Sequence, residues 1–275
     1  MTLLDFILNL AGLLLWLNWR GIAPVTTAPP GAAALPVPRR PAPPRARWLF
    51  LAGLLALLAL RAVFYWQAGP QLDWIPGIGL GPPRIFLRSD LLGRMLLFSF
   101  LSFGATLGVF YLFLLLLSSV HGSNAESESA QRLVNLHLGP MGRWPALVKL
   151  ILPLLVVTLV WYALNPLLLK FNLVPPVTRG QLLAQGAVIG LGVYFILKFL
   201  IMGMLLLHVL NSYVYFGDNA FWKFVNQTAR ALLRPLQWLP LRIGRVDLAP
   251  VAGSALVALA AEFGRRGLER IYPWM

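Results

Sequence analysis

The longest apolar stretch of the chain is LLAQGAVIGLGVYFILKFLIMGMLLLHVLNSYVYF, residues 182–216, in which Lys198 is the one charged residue. About 20 apolar residues in a helix cross a hydrocarbon core of about 30 Å. This run of 35 residues exceeds that length. It therefore predicts a transmembrane helix and places the chain among integral membrane proteins.

Five further apolar runs favour the same class. They cover residues 3–19, 48–66, 95–120, 148–169 and 248–263, and the last is short for a crossing. Of the 275 residues, 59% are hydrophobic and 12% are charged, about half the charged fraction of soluble domains. We therefore expect an all-α membrane protein with about six transmembrane helices. The expected location is the bacterial inner (cytoplasmic) membrane, with multiple passes.

The connections between these runs predict the domain organisation. Residues 22–46 are rich in Pro and Ala, which is typical of an extended, mobile linker. This linker joins the first two helices within residues 1–67, and a Gly- and Pro-rich loop follows at 68–93.

The rest of the chain contains an internal repeat with an offset of 95 residues, which predicts a first repeat at 94–175 and a second at 180–275. Phe100, Gly108, Gly122, Asn124, Ala125, Leu138, Pro140 and Pro145 recur as Phe195, Gly203, Gly217, Asn219, Ala220, Leu233, Pro235 and Pro240. Each copy consists of a span, a connection and a second span. Because two spans return the chain to its starting side, the copies must be parallel, related by an axis along the membrane normal.

The distribution of basic residues predicts the orientation. The connections after spans one, three and five carry 13 Lys and Arg, with Lys149 counted at a helix end, and the opposite side carries eight. Basic residues are more frequent in cytoplasmic loops. We therefore expect the Pro-rich linker and both repeat connections in the cytoplasm, with both termini outside.

Composition and motifs exclude several functions. The chain has no cysteine, which removes disulfides, thiolate metal sites and a cysteine nucleophile. The net charge is +14, but the basic residues flank apolar spans, where anionic headgroups and topology explain them better than nucleic acid. No paired carboxylates, Ser-His-Asp set, metal motif or phosphate loop is found. We expect no enzymatic activity, cofactor or metal.

A basic amphipathic helix is predicted for residues 219–236. Its basic face carries Lys223, Arg230 and Arg234, and its apolar face includes Phe221 and Trp222. Asp218 or Asn219 can cap its start, and Pro235 ends it. The pattern is typical of a helix in the membrane surface against anionic headgroups. The alternative is a packing face against the protein's own spans.

Lys198 is the only clearly deep charge that the sequence indicates. An ionisable group at that depth is a functional hypothesis, and the alternative is that its long side chain reaches an interface. His208 is the one histidine inside a span, so haem ligation by two histidines of matching depth is not favoured. We expect His208 to be a hydrogen-bonded packing residue.

The second repeat connection resembles the YggT family of bacterial membrane proteins and its plastid and cyanobacterial relatives. The resemblance is carried by Leu232-Leu233-Arg234-Pro235, by Leu239-Pro240 and by Asp247-Leu248-Ala249-Pro250. The chain departs from the family pattern in lacking the second proline of the pair, in having Gly244 alone before Arg245, and in having Ala249 for Ser.

The resemblance covers residues 195–265 well and the first repeat faintly. Family members have no established enzymatic activity. The resemblance implies a role in biogenesis, such as cofactor assembly on b-type cytochromes in plastids, or in envelope and osmotic physiology in bacteria.

Two functions follow from these patterns. The first is a non-enzymatic membrane scaffold, accessory subunit or assembly factor that contacts other integral membrane proteins. It rests on the repeat, the basic helix and small residues that permit close helix packing, among them Gly104, Gly108 and Gly203. The second is a small-solute or ion channel or transporter, which needs several polar groups near the bilayer midplane.

Overall fold

The fold was examined in a computed structural model. It describes residues 2–20, 44–72, 74–79, 84–121, 134, 136–214, 219–236, 238, 242–243 and 246–271. The predicted linker at 22–46 lies almost wholly outside this set, as does the Gly217–Asp218 start of the second connection. The described part of the chain is mainly helical, so the all-α class is confirmed.

Eight α-helices are described. They are α1 (Thr2–Trp19), α2 (Pro44–Ala68), α3 (Leu92–His121), α4 (Ala146–Lys170), α5 (Arg179–Val193), α6 (Leu197–Tyr213), α7 (Ala220–Leu233) and α8 (Ala249–Ile271). The short strands are β1 (Gly77–Gly79), β2 (Arg84–Phe86), β3 (Arg242–Ile243) and β4 (Val246–Asp247). Turns of 3₁₀-helix occupy Pro70–Leu72, Gly139–Arg143, Tyr194–Ile196 and Arg234–Leu236.

Four helices are long and apolar enough to cross a membrane. They are Arg47–Ala68, Leu92–Val120, Ala146–Lys170 and Arg179–Tyr213, the last comprising α5, a 3₁₀ turn and α6. The first predicted span forms a shorter apolar helix, Leu3–Trp19. The sixth predicted span is not among the four, because the charged residues Glu262, Arg265 and Arg266 follow the apolar first half of α8.

The described chain divides into two compact units. The first comprises Met1–Ile78 and Phe86–Leu107, and the second Gly79–Ile85 and Gly108–Met275. The division falls inside α3, whereas the first repeat was predicted to begin at residue 94. In the first unit, Leu54 and Leu58 of α2 pack with Phe103 of α3, and Leu15 and Trp16 of α1 cover them.

Close backbone packing joins α4 to α5 in the second unit. A Cβ added to Gly186 would lie 3.0 Å from Thr158, and one added to Gly190 would lie 3.0 Å from the Leu154 carbonyl oxygen. Small residues therefore allow these two helices to approach closely. The helix α5 begins at a capping box, in which the Thr178 and Gln181 side chains bind each other's backbone N–H groups.

The last two helices run back along α6. Asn226 of α7 contacts His208, and Leu233 of α7 packs with Leu205. Further along, a Cβ added to Gly253 of α8 would meet Leu205 as well as Leu233. The strands β3 and β4 pair antiparallel between α7 and α8, with Arg242 opposite Asp247.

Candidate functional site

A network of polar side chains lies inside the first unit, centred on the guanidinium group of Arg61. Its Nη2 donates to Asp5 Oδ1 at 2.8 Å and to Ser102 Oγ at 3.0 Å, and its Nη1 donates to Asn9 Oδ1 at 2.7 Å. Tyr65 donates its hydroxyl to the same Asp5 oxygen at 2.5 Å, and Asn9 Nδ2 donates to Ser102 Oγ at 3.0 Å. Three helices are thus joined by one cation.

Helical spacing explains why these residues meet. Asp5 and Asn9 are four residues apart on α1, and Arg61 and Tyr65 are four apart on α2. Residues at this spacing lie on one face of a helix. Ser102 completes the network from α3. Polar side chains of all three helices therefore meet at one place.

Aromatic rings surround the guanidinium group. The Arg61 Cζ atom lies 5.5 Å from the centroid of the Tyr65 ring and 5.2 Å from that of the Phe98 ring. Trp74 contacts both rings edge to face, with centroids 4.5 Å from Tyr65 and 5.8 Å from Phe98. These are cation–π distances, and such contacts become stronger where water is excluded.

Arg61 is deeply buried and well inside a candidate span. Its side chain is 1% exposed, against 19% for Asp5, and it lies 14 positions after Arg47 and seven before Ala68. Its Nε has no hydrogen-bond partner among the described residues. A charge at this depth requires a counter-charge, and Asp5 provides one. The sequence prediction that Lys198 is the only clearly deep charge was therefore wrong, because Arg61 is also buried well inside a candidate span.

A signal for Arg61 was present in the sequence. A single Arg interrupts an otherwise apolar run at 48–66, and Asp5 and Asn9 similarly interrupt the first run. Complementary polar residues in two adjacent spans indicate a pair across helices. The sequence prediction names Lys198 alone as a deep charge and does not include this pairing.

A second buried cation, Lys149, lies near the start of α4. It is 8% exposed, and its Nζ donates to Ser118 Oγ and to the Gly142 carbonyl oxygen, both at 2.7 Å. Ser118 Oγ also donates to the Gly142 carbonyl at 3.2 Å. In the described part of the chain, Lys149 forms no salt bridge.

Lys198 and His208 have different surroundings. Lys198 is half-buried, and its Nζ lies 4.9 Å from the centroid of the exposed Phe199 ring. It forms no salt bridge within the described ranges. His208 forms a 2.8 Å hydrogen bond between its Nδ1 and Asn226 Oδ1, so the prediction of a hydrogen-bonded packing residue is confirmed.

The amphipathic helix α7 forms where it was predicted, with Asn219 as its N-cap. Its apolar face, however, packs against protein: Val225, Thr228, Ala229 and Leu233 are buried, and Phe224 packs against a cluster that includes Leu114. The prediction that this face enters lipid was wrong for these residues, and the alternative of a packing face is observed. Periodic apolar spacing cannot distinguish lipid from a neighbouring helix.

The basic face of α7 points away from this packing. Lys223, Arg230 and Arg234 are exposed, as is Phe221, while Trp222 is half-buried. Within the described residues, none of the three cations forms a salt bridge. The helix therefore presents an exposed cationic face.

The residues that carry the family resemblance mark helix ends. Arg234 and Pro235 lie in the 3₁₀ turn that ends α7, and Pro250 lies in the first turn of α8. Asp247 Oδ1 accepts a hydrogen bond from the Ala249 N–H at 2.9 Å, and so satisfies the first N–H group of α8. Pro240 lies outside the described residues, as do Gly244 and Arg245.

The glycines predicted to pack helices fall into two groups. A Cβ added at Gly104, Gly108 or Gly203 would meet no described atom within 4 Å. By contrast, Gly186 and Gly190 permit the close contact of α4 with α5. The first three glycines therefore do not pack helices within the described part of this chain.

Outside the four candidate spans, the end of α8 carries an exposed charge cluster. Glu262 accepts hydrogen bonds from Arg265 and from Arg266. Those hydrogen bonds, with the Arg265 contribution the largest, lower the pKa of Glu262 to about 2. The pKa of Arg265 is raised by the same hydrogen bonds, which Arg265 donates to Glu262.

The described residues contain no group of three or more His, Cys, Asp or Glu that could hold a metal ion. The chemistry available in the Arg61 network is ion pairing and hydrogen bonding between helices. Comparisons with family models, curated proteins and solved structures found no match.

Proposed function

We propose that this chain is a non-enzymatic membrane scaffold, accessory subunit or assembly factor that acts through contacts with other integral membrane proteins. The observation that carries the proposal is that most residues of the last two candidate spans are not buried inside the protein. In an apolar stretch of 18 residues within each span, only 11% of the residues of Ala146–Lys170 and 6% of those of Arg179–Tyr213 are buried inside the protein. Lipid or partner helices must cover the remainder.

The open glycines support contact with partner helices. Gly104, Gly108 and Gly203 lie on α3 and α6, where an added Cβ would meet nothing in the described structure. Small residues permit close approach of helices in lipid, where association is driven by packing. A helix from another protein could approach the backbone closely at these positions.

The basic face of α7 supports a second contact, with anionic headgroups. Lys223, Arg230 and Arg234 are exposed, and each basic residue near an anionic surface contributes about 1 kcal/mol of attraction. Because the opposite face is already packed, this contact is electrostatic and does not require insertion. Changing all three to Gln should weaken binding of the reconstituted protein to anionic lipids without unfolding it.

We further propose two parallel repeats of the YggT-like kind and six membrane segments with both termini outside. The repeat is supported by packing: Phe110, Val134 and Leu138 belong to one cluster, and Leu205, Ala229 and Leu233, each 95 residues later, belong to another. The 3₁₀ turns that begin at Gly139 and Arg234 have the same offset. In this topology the charged end of α8, from Glu262 onward, lies outside the membrane.

Reporter fusions test the topology. Fusions after residues 35, 130 and 230 should all report cytoplasm. A periplasmic signal at residue 35 would invert the orientation. Fusions on either side of α8 determine whether it crosses.

Native purification followed by identification of co-purifying chains tests the scaffold. Gly203→Leu and Gly108→Leu should release partners while protein level stays unchanged. Gly267→Leu is the matched control, since Gly267 is equally open but lies outside the candidate spans. Equal partner recovery from all three variants would contradict the proposal.

The second candidate is a channel or transporter, and the observation that favours it is the Arg61 network. Polar groups inside a span mark ion pathways in many membrane proteins. The purified protein in liposomes should show ion or solute flux if this function holds. Loss of flux in Lys198→Ala, with partner association intact, would replace the scaffold proposal with the transporter.

A further inference from the structure

We propose that the groove between α2 and α3 is a docking site for a helix that carries a carboxylate and an amide one turn apart. The occupant is the chain's own α1, and the Asp5–Arg61 pair is the clamp that holds it there. This role lies inside the first unit. It is separate from the outward-facing contacts of the proposed function.

The hydrogen bonds of Arg61 carry the first part of the argument. The guanidinium has three acceptors, and two of them, Asp5 Oδ1 and Asn9 Oδ1, come from α1. Without α1, Ser102 on α3 would be the only acceptor left among the described residues. A buried cation with one neutral partner is strongly unfavourable.

The charge balance carries the second part. Among the described residues, Asp5 is the one carboxylate that forms a salt bridge with Arg61. Tyr65 on α2 donates its hydroxyl to the same Asp5 oxygen. The groove therefore presents a cation and a hydroxyl donor to one incoming carboxylate, which is a specific recognition element.

The apolar part of α1 fits the same groove. A Cβ added at Gly12 would lie 2.9 Å from the Phe103 ring and 3.3 Å from Leu54. The backbone of α1 therefore comes closest to α2 and α3 where it has no side chain. Leu15 and Trp16 continue the contact against the cluster of Leu54, Leu58 and Phe103. The polar end fixes the register of α1, and the apolar end fills the groove.

The clamp has a consequence for membrane insertion. The apolar helix Leu3–Trp19 is shorter than the four candidate spans, and an unpaired Arg disfavours insertion of α2. When Asp5 and Arg61 are paired, the cost of placing either charge in the membrane is reduced. We therefore expect α1 and α2 to enter the membrane as one antiparallel hairpin.

Cross-linking in the full-length protein in native membranes tests the clamp. The chain has no cysteine, so Leu15→Cys with Gly53→Cys gives a unique thiol pair. A Cβ at Gly53 lies 3.8 Å from Leu15 Cδ2. Both positions are remote from the polar network along their helices. The rate of cross-linking by a short bifunctional thiol reagent then reports the docking of α1.

Three further changes are made in this background. Asp5→Leu leaves Arg61 buried without a counter-charge, and we expect the cross-linking rate to fall about tenfold or more. Asp5→Leu with Arg61→Met removes both charges and should restore the rate to within about twofold of the parent. Asp90→Leu is the matched control: it breaks the exposed Asp90–Arg94 pair of the same unit and should leave the rate unchanged.

Two results would overturn the clamp. Cross-linking of Asp5→Leu at the parent rate would show that the charge does not hold α1. A double variant as slow as Asp5→Leu would show that side-chain shape, and not charge, determines docking. Protein level is measured for every variant, so that the rate is compared at equal amounts of inserted chain.

Discussion

Among the described residues, each of the two compact units buries one Lys or Arg, and the two cations are bound in different ways. In the first unit, Arg61 is bound by side chains 41 to 56 positions away, including the carboxylate of Asp5. In the second, Lys149 binds the hydroxyl of Ser118 and a carbonyl only seven positions away. Arg61 therefore links three helices that are distant in sequence. Lys149 links the turn before α4 to the end of α3.

The difference follows from the chemistry of the two groups. A guanidinium presents five N–H donors in a fixed plane, so it can bind acceptors from several directions at once. An ammonium group is a compact charge on a flexible stem, which suits a local set of carbonyl and hydroxyl oxygens. We expect the stability of the first unit to depend on charge pairing, and that of the second mainly on close packing.

The largest expected effect is that of Arg61→Ala, which leaves the partly buried Asp5 carboxylate without its cation. Breaking a buried ion pair by removing one partner costs about 3–5 kcal/mol. We expect a loss of this size in unfolding of the detergent-solubilised protein, followed by tryptophan fluorescence. Lys198→Ala is the comparison, and a half-buried Lys without a salt bridge should change stability by about 0.5 kcal/mol or less.

Equal losses in these two variants would remove the contrast between a paired and an unpaired cation. An Arg61→Ala loss below about 1 kcal/mol would indicate an exposed pair, which contributes about that much at most.

A smaller effect is expected in the second unit from Gly190→Val on α5. The added side chain would lie 3.0 Å from the Leu154 carbonyl oxygen of α4, and overpacking of this kind costs about 1–3 kcal/mol. Gly203→Ala is the matched control, since an added Cβ there meets no described atom within 4 Å. Helix propensity should make that change neutral or stabilising by about 0.5–1 kcal/mol.

The same unfolding assay separates the two glycines. If Gly203→Ala destabilises the purified protein as much as Gly190→Val, then α6 is packed at Gly203 by contacts that the described residues do not include.

A third effect concerns Lys149→Met, which keeps the length of the side chain and removes its charge. Lys149 binds neutral acceptors, so its removal leaves no uncompensated charge. Ser118 Oγ also continues to donate to the Gly142 carbonyl. We expect a loss of about 1–2 kcal/mol, the cost of ordinary hydrogen bonds. A loss as large as that of Arg61→Ala would show that Lys149 has an ionised partner.

The sequence predicted the long helices well, because a long run of apolar residues is enough to indicate a membrane helix. Apolar runs at 95–120 and 148–169 became α3 and α4, with ends displaced by a few residues. It also predicted Asn219, as one of two candidates, for the N-cap of α7, since capping depends on local spacing. The predicted count of six differs from the four helices that are long and apolar enough to cross a membrane, because α1 is short and α8 has a charged second half.

The Arg61 network was not predicted, and the packing of α7 was predicted only as the alternative to a membrane-surface helix, for related physical reasons. A contact between Asp5 and Arg61 depends on which helices are neighbours. The two residues are 56 positions apart, and helical periodicity does not relate residues on different helices. The apolar face of α7 has the same pattern whether lipid or a protein cluster with Leu205 covers it. Local rules predict helices and caps, whereas the partner of a buried polar or apolar face is set by tertiary structure.

The smallest effect is the titration of Glu262, on the exposed surface of the second unit. Its pKa is lowered to about 2 by hydrogen bonds from Arg265 and Arg266, compared with about 4.3 for an unperturbed Glu. Because the folded-state pKa is depressed, the contribution of these pairs to α8 is present above the unfolded-state value. It is lost as the pH falls toward about 2. In contrast to Arg61, this cluster is screened by water and salt.

Carboxyl ¹³C NMR of the detergent-solubilised protein measures this midpoint directly. We expect Glu262 to titrate near pH 2, and Arg265→Gln to raise its pKa toward the usual value, because Arg265 makes the largest contribution. Arg270→Gln is the control, since no hydrogen bond joins Arg270 to Glu262 among the described residues. A wild-type midpoint near 4.3 would show that these surface pairs do not persist in solution. The contrast with the buried Arg61 pair would then be larger than the structure implies.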